Sequence, residues 1–426
     1  MKNLLSEVLK HEVYPAMGCT EPVAVAFAAA TAAGLLSGRT TSVLVRTDPG
    51  TYKNGLAVAL PNTRGRKGNL LAAAIGAVVR KPELGTEIFR GLPAAELREA
   101  SALVKSGRAR IQVDYSRRGI YIFAEVKAGR DKALCVVEGG HTRVALLRRN
   151  GNVIARTGGA RKNRKLPYKE ALRRASFGDL FRAAEKATPA QLAYIRKGVE
   201  MNLAAAAEGL KLRKVGYYMQ DLIKKGYLKR DLVSNAKLTA AAATDARMAG
   251  VPVPVMSSGE SGNQGVVAVL VPWLVGKAVG VPEKRILKSI ALSHLVNSYI
   301  KVFTGELAPI CGCAVAAGVG ASVAMLWQRS GADKRKASLA VNTVISDIGG
   351  MLCDGAKSGC ALKVASSADS AVRAAWMAVN GEGITEEEGF VGASAEETIR
   401  NISRISSLGM DKVDRIILDI MSAKGR

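Results

Sequence analysis

The apolar positions change period along the chain. In MKNLLSEVLKHEVYP, leucine and valine are interrupted by Glu7 and Lys10, the pattern of a short amphipathic helix. Residues 2–37 read as two helices separated by Tyr14–Cys19, the second opening with Thr20 as N-cap and Glu21-Pro22 in its first turn. From about 41 to 150 the period shortens to two. The β-rich runs fall at 41–47, 56–60, 110–115, 120–126 and 133–137, with helical stretches near 69–80 and 94–106 between them. From about 177 onward nearly everything reads as helix, alanine-rich with glycine breaks, and no repeat of 20–50 residues is visible.

This pattern predicts an α+β fold: a large, mainly helical domain interrupted by a smaller mixed α/β domain. The expected division is discontinuous, residues 1–38 plus 180–426 forming the helical domain and 39–179 the insertion. Two uncharged stretches, Pro22–Gly38 and Leu307–Gln328, approach the length of a membrane span. Small residues dominate both and contribute little to insertion, so they read as buried helices of a soluble core. With no apolar signal region at the start, a cytoplasmic location and no membrane partner are expected.

Composition changes this picture in two places. The chain has 426 residues, 48% hydrophobic and 23% charged, which excludes wholesale disorder. Its 62 Lys+Arg against 36 Asp+Glu leave a formal charge of +26. That excess, with seven basic residues and one acid between Arg161 and Arg174, motivates a non-enzyme alternative, a basic nucleic-acid-binding protein. No zinc-finger spacing, RNP motif or helix-turn-helix accompanies the charge, so no specific nucleic-acid partner is expected.

The six cysteines are Cys19, Cys135, Cys311, Cys313, Cys353 and Cys360, and four lie between 311 and 360. Thiolates suit iron–sulfur clusters, and the pairs Cys311/Cys313 and Cys353/Cys360 offer such ligands. Zinc and simple burial of small apolar thiols are the competing readings, although zinc sites favour tighter spacings. Cys19 precedes the helix that opens at Thr20, where the helix dipole lowers a thiol pKa and favours a thiolate base or nucleophile. The polar segment Ser257–Gly265 leads into an apolar helix, whose start suits an anion such as a carboxylate. His141 follows a predicted strand in a loop. His294 and Lys301 share one face of a helical run, where core and surface roles are their plainer readings.

Together these segments resemble one family. Residues 16–22 (AMGCTEP), 52–55 (YKNG), 138–142 (EGGHT), 261–265 (SGNQG), 291–301 (ALSHLVNSYIK), 310–315 (ICGCAV) and 351–363 (MLCDGAKSGCALK) are similar to the L-cysteine desulfidase-like family, related to the alpha chain of iron–sulfur L-serine dehydratases. The likeness runs from about residue 15 to about 365. It implies that the helical domain is a catalytic iron–sulfur domain carrying a 4Fe–4S cluster on Cys313, Cys353 and Cys360, with one iron left for substrate and Cys311 as a substitute ligand. It implies Cys19 or His141 as the base. Lys53, Asn54, Thr142, Ser261, Asn263, His294 and Lys301 would then bind substrate. Gly140 replaces the serine usual before the loop histidine, and Glu260 stands where a glycine is expected. The last residues, Ala423–Arg426, contain no cysteine to plug the open iron.

The implied reaction is an α,β-elimination on a small amino acid, L-cysteine desulfidase first and L-serine dehydratase as the alternative. In it the substrate's carboxylate and β-substituent meet the open iron, and the aminoacrylate released hydrolyses to pyruvate and ammonia. The partner expected is the amino-acid substrate, and the pattern is compatible with a homo-oligomer.

Overall fold

The structure is a computed structural model and describes residues 4–157, 166–305 and 307–424. It is α+β, with seventeen α-helices against one six-stranded sheet among the described residues. The strands lie in the order Ala109–Val113, Ser42–Thr47, Tyr121–Ala128, Asp131–Glu138, Val144–Arg149, Asn152–Arg156. Only the first two are parallel, which fits a helical crossover between them; the remainder are antiparallel neighbours.

Helix Thr20–Ala33 lies on this sheet beside helix Asn69–Val79, and their alanine-rich faces form one core with Val43, Val45, Ile122 and Val126. Gly76 makes the close approach between the two helices feasible, since a Cβ there would stand 2.0 Å from the Ala26 carbonyl oxygen. A second core joins Leu4, Leu5, Val8 and Leu9 to Tyr168, Leu172 and the helices that follow. Thus the N-terminal helix Leu4–Glu12 packs with the C-terminal helices, while the next helix packs with the sheet. At the centre of the helical layer, Val315–Gln328 is wholly buried, and no described helix is long and apolar enough to cross a membrane.

Three local expectations need correction. Thr20 is the first helical residue and Cys19 occupies the N-cap, with extended backbone angles (φ −78°, ψ 136°). Residues 56–60 form no strand: Leu56 ends helix Pro49–Leu56, and only Ala59 makes a bridge, to Lys67. Conversely, Val144–Arg149 and Asn152–Arg156 form a hairpin that the arginine-rich sequence hid. Its Asn150-Gly151 turn, with both residues at positive φ, is the usual two-residue signal. Of the basic run, Arg161–Lys165 lie outside the described residues, and Pro167–Arg174 is a helix.

A two-residue pairing brings distant parts of the chain together at the site. Pro15 and Ala16 pair antiparallel with Met256 and Val255, and the Ser257 hydroxyl accepts from Tyr14 N–H at 2.8 Å. This fastens the loop before Cys19 to the loop at 257–261.

Candidate functional site

Four helices direct their N-termini at one cleft. They begin at Thr20, Gly262, Val315 and Cys360, and Cys19, Ser261, Cys313 and Cys360 at these starts all line it. Free first-turn N–H groups and aligned peptide dipoles make such a cleft favourable for negative charge. With its open mouth included, the cleft spans about 960 Å³.

The thiol wall is assembled by backbone pairing. Ile310 bridges Leu352; Cys311 N–H donates to the Met351 carbonyl at 2.8 Å and Cys353 N–H to that of Pro309 at 2.6 Å. The turn after Cys353 passes through Gly355 at φ +92°, where a Cβ would lie 2.5 Å from the Lys53 carbonyl oxygen. Cys360 then opens helix Cys360–Val379. Cys311, Cys313, Cys353 and Cys360 therefore all reach the cleft as free thiols. Burial pushes Cys360 up to about 11 and also raises Cys353, where Lys53 opposes it. Within the 311/313 pair, the neighbouring Cys313 thiol and the Lys363 ammonium hold Cys311 low, while Cys313 is raised. Among the described residues, no three His, Cys, Asp or Glu side chains converge tightly enough for a single metal ion.

Cys19 faces this wall and packs with Cys360 and Met248. Its thiol donates to Glu21 Oε2 at 2.8 Å. The expected lowering of its pKa by the helix start is overridden: burial and the Glu21 charge push the thiol well up, against a smaller opposing pull from Arg247. Glu21 also accepts from Thr20 Oγ1 at 3.2 Å and from Asn54 Nδ2 at 3.0 Å. Burial opposes its ionised form, but His141 and these hydrogen bonds prevail and hold it low. The result is a protonated thiol beside an ionised carboxylate, with Asn54 fixing the carboxylate.

His141 lines the same cleft, with Nδ1 3.5 Å from Glu260 Oε2, a charge contact longer than a well-formed hydrogen bond. Burial would lower its pKa; Glu260 and Glu21 outweigh burial and raise it. Glu260 explains its own oddity. Its φ is +64°, the conformation for which glycine is the usual choice, and its carboxylate faces His141 and Lys169 Nζ (3.2 Å). Those partners overcome burial and keep it ionised. Its charge is thus neutralised by the protein.

Of the residues expected to bind substrate, Asn54, Ser261, Asn263 and Lys301 line the cleft. Lys53 lines it too, but its ammonium is committed to the Cys353 carbonyl at 2.7 Å and to the Asp414 carboxylate. At 2% exposure it acts as a tie between the C-terminal helix Val413–Ala423 and the thiol loop. Thr142 is exposed and outside the cleft lining. His294 also lies outside it, fully buried, with Nδ1 2.8 Å from Ser258 Oγ. Burial presses its pKa down to about 3, so it is a neutral prop for the 257–261 loop. Sequence reasoning gave no site role to Glu21 or Gln264, or to Arg247, which lines the cleft at 2% exposure. A charged residue inside the small-residue run Ala240–Met248 was the available signal for Arg247.

Comparison with known proteins decides the family. The model for the serine dehydratase alpha chain matches residues 99–419. The chain belongs to that family. It is 54% identical over 422 residues to a UPF0597 protein of Elusimicrobium minutum, covering 99% of each chain. A UPF0597 protein of Geobacter sulfurreducens is 53% identical over 430 residues, again with 99% of each covered. One from Desulforapulum autotrophicum is 38% identical over 437 residues, covering 100% of this chain and 98% of the relative. The family match takes in the hairpin, the Ser257–Gly265 loop and the thiol wall, and the full-length relatives extend the likeness to the Cys19 loop.

Proposed function

We propose that this serine dehydratase alpha-chain relative is an iron–sulfur-dependent lyase that removes the β-substituent of a small amino acid, L-cysteine before L-serine. The observation carrying this reading is the convergence of Cys313, Cys353 and Cys360 on a cleft that also holds Cys19, Glu21 and His141. The donor set fits a 4Fe–4S cluster. The thiols are free, buried or half-buried, and spread round a cleft ringed by helix N-termini, as a bulky anionic cluster requires. Cys313, Cys353 and Cys360 would hold it, and Cys311 stands close enough to Cys313 to substitute.

When bound, the cluster supplies a Lewis-acidic iron that makes a thiolate or hydroxide a better leaving group. The chain's own residues handle binding and protons. As Cys19 Sγ takes the α-proton as base, its own proton passes along the existing 2.8 Å hydrogen bond to the Glu21 carboxylate. His141, whose protonated form Glu260 and Glu21 favour, offers the proton that the departing group needs. Pairing of Glu260 with His141 and Lys169 prevents its charge from repelling the substrate carboxylate. Aminoacrylate leaves the site, and its hydrolysis to pyruvate and ammonia needs no further protein group.

The test is anaerobic reconstitution with iron and sulfide followed by pyruvate measurement over a panel of L-amino acids. Pyruvate with stoichiometric sulfide from L-cysteine supports the desulfidase. Pyruvate from L-serine alone moves the assignment to the dehydratase, and none from any β-substituted amino acid refutes the lyase.

A further inference from the structure

We infer that Arg247 is the carboxylate-binding residue of the cleft, its guanidinium acting with the first turn of helix Gly262–Ala278. That the carboxylate belongs to an amino acid rests on the function proposed above; the anion site itself rests on Arg247.

Arg247 projects from the last turn of helix Leu232–Met248, is 2% exposed and lines the cleft. One of its nitrogens, Nη1, donates to Asn263 Oδ1 at 3.1 Å, which fixes the plane of the guanidinium. Its Nε is buried without a hydrogen-bond partner. Among the described residues, no carboxylate lies within 4.0 Å of it. A buried guanidinium lacking a counter-charge is costly, because it has lost water and gained no anion. Glu21, which lines the same cleft, is already engaged by Cys19, Thr20 and Asn54.

The neighbouring backbone is shaped to the same purpose. Gly262 stands against the guanidinium so closely that a Cβ would be 2.3 Å from Nε and 2.8 Å from Cζ. A side chain there would displace the arginine or close the space. Gly262, Asn263 and Gln264 are the first three residues of the helix, where N–H groups lack intrahelical acceptors. A planar cation and a helix start thus meet at one point, the arrangement that recognises a carboxylate by its shape as well as its charge. This gives the carboxylate a protein partner, in addition to the iron expected from the family resemblance.

The test uses ligands that cannot undergo elimination. L-Alanine retains the carboxylate and lacks a leaving group; L-alaninamide replaces the carboxylate with a neutral amide. Both are titrated calorimetrically into the reconstituted protein and into Arg247→Gln and Arg247→Lys, with thermal melts confirming the fold. The expected result is that wild type binds L-alanine at least about 30-fold more tightly than L-alaninamide, as befits a charge-assisted paired contact. Arg247→Gln should erase that preference and Arg247→Lys should reduce it by about tenfold, since an ammonium cannot present two parallel donors. If Arg247→Gln does not fold, Arg247→Lys and the wild-type preference decide. Unchanged L-alanine affinity in a folded variant, equal binding of acid and amide, or no saturable L-alanine binding overturns the inference. Because no pyruvate is measured, failure of the lyase assay leaves this result standing, and failure here leaves the lyase untouched.

Discussion

Cys19 shows how a residue's surroundings can reverse what its position suggests. A helix start favours a thiolate, yet burial and the Glu21 carboxylate at 2.8 Å keep the proton on sulfur. Such a thiol is a base only when Glu21 withdraws that proton. Cys19→Ser should accordingly lower turnover by about 10²–10⁴-fold while leaving the melting temperature nearly unchanged, and near-wild-type turnover would remove Cys19 from the mechanism. His294 makes a prediction about stability instead. It is pressed from an ordinary 6.5 to about 3, so below pH 6.5 the unfolded chain binds a proton that the folded chain refuses. Its contribution is full above pH 6.5 and is lost as pH falls toward 3, with a slope approaching about 1.4 kcal/mol per pH unit. Asp245, raised to about 6, slopes the other way between 3.8 and 6, so the difference between wild type and His294→Gln is the informative quantity. Urea melts from pH 7 to pH 4 should show wild type losing more stability than the variant; parallel losses would contradict the buried neutral imidazole. The thiols and the loop containing Cys19 were legible in the sequence because their chemistry is carried by residue type. Arg247 and Glu21 were not, since their roles depend on which distant groups leave them unpaired or paired.

Among the elements, the C-terminal helix Val413–Ala423 has a use that its amphipathic sequence does not disclose. Asp414 from this helix meets Lys53, and Lys53 in turn holds the Cys353 carbonyl. Asp414→Ala leaves a buried ammonium without its counter-charge; with Asp414 itself 21% exposed, the cost should be about 2–3 kcal/mol in urea denaturation. It should also loosen the Cys353 loop, seen as slower or incomplete cluster uptake. A stability change below about 0.5 kcal/mol would show that the tie carries no load, as for an ordinary surface pair. Helical periodicity made most helices readable. The hairpin Val144–Arg156 escaped because the adjacent arginines Arg148 and Arg149 break the period-two alternation and its second strand is exposed throughout, and residues 56–60 misled because a short apolar run has the same appearance at a helix end as in a strand.

For the whole molecule, the α+β character was legible, whereas the partition of the first two helices between two cores was not: both are apolar on the faces they bury, and only contacts distinguish them. The +26 charge has a restricted role in the proposed chemistry. Small amino acids carry no net charge near neutrality, so a basic envelope steers them little. The value of kcat/KM for L-cysteine should change less than about twofold between about 0.05 and about 0.5 M salt; a steep fall would indicate an anionic substrate.

The measurement that bears most directly on the central claim is paired iron analysis and turnover on the anaerobically reconstituted protein and its Cys313→Ala, Cys353→Ala and Cys360→Ala variants. About four irons and four sulfides per chain, with pyruvate formed from L-cysteine, and loss of both in Cys353→Ala and Cys360→Ala is the predicted result. Compensation by Cys311 is expected only in Cys313→Ala and should disappear in the Cys311/Cys313 double variant. Full iron content and full turnover in Cys353→Ala or Cys360→Ala would contradict the account.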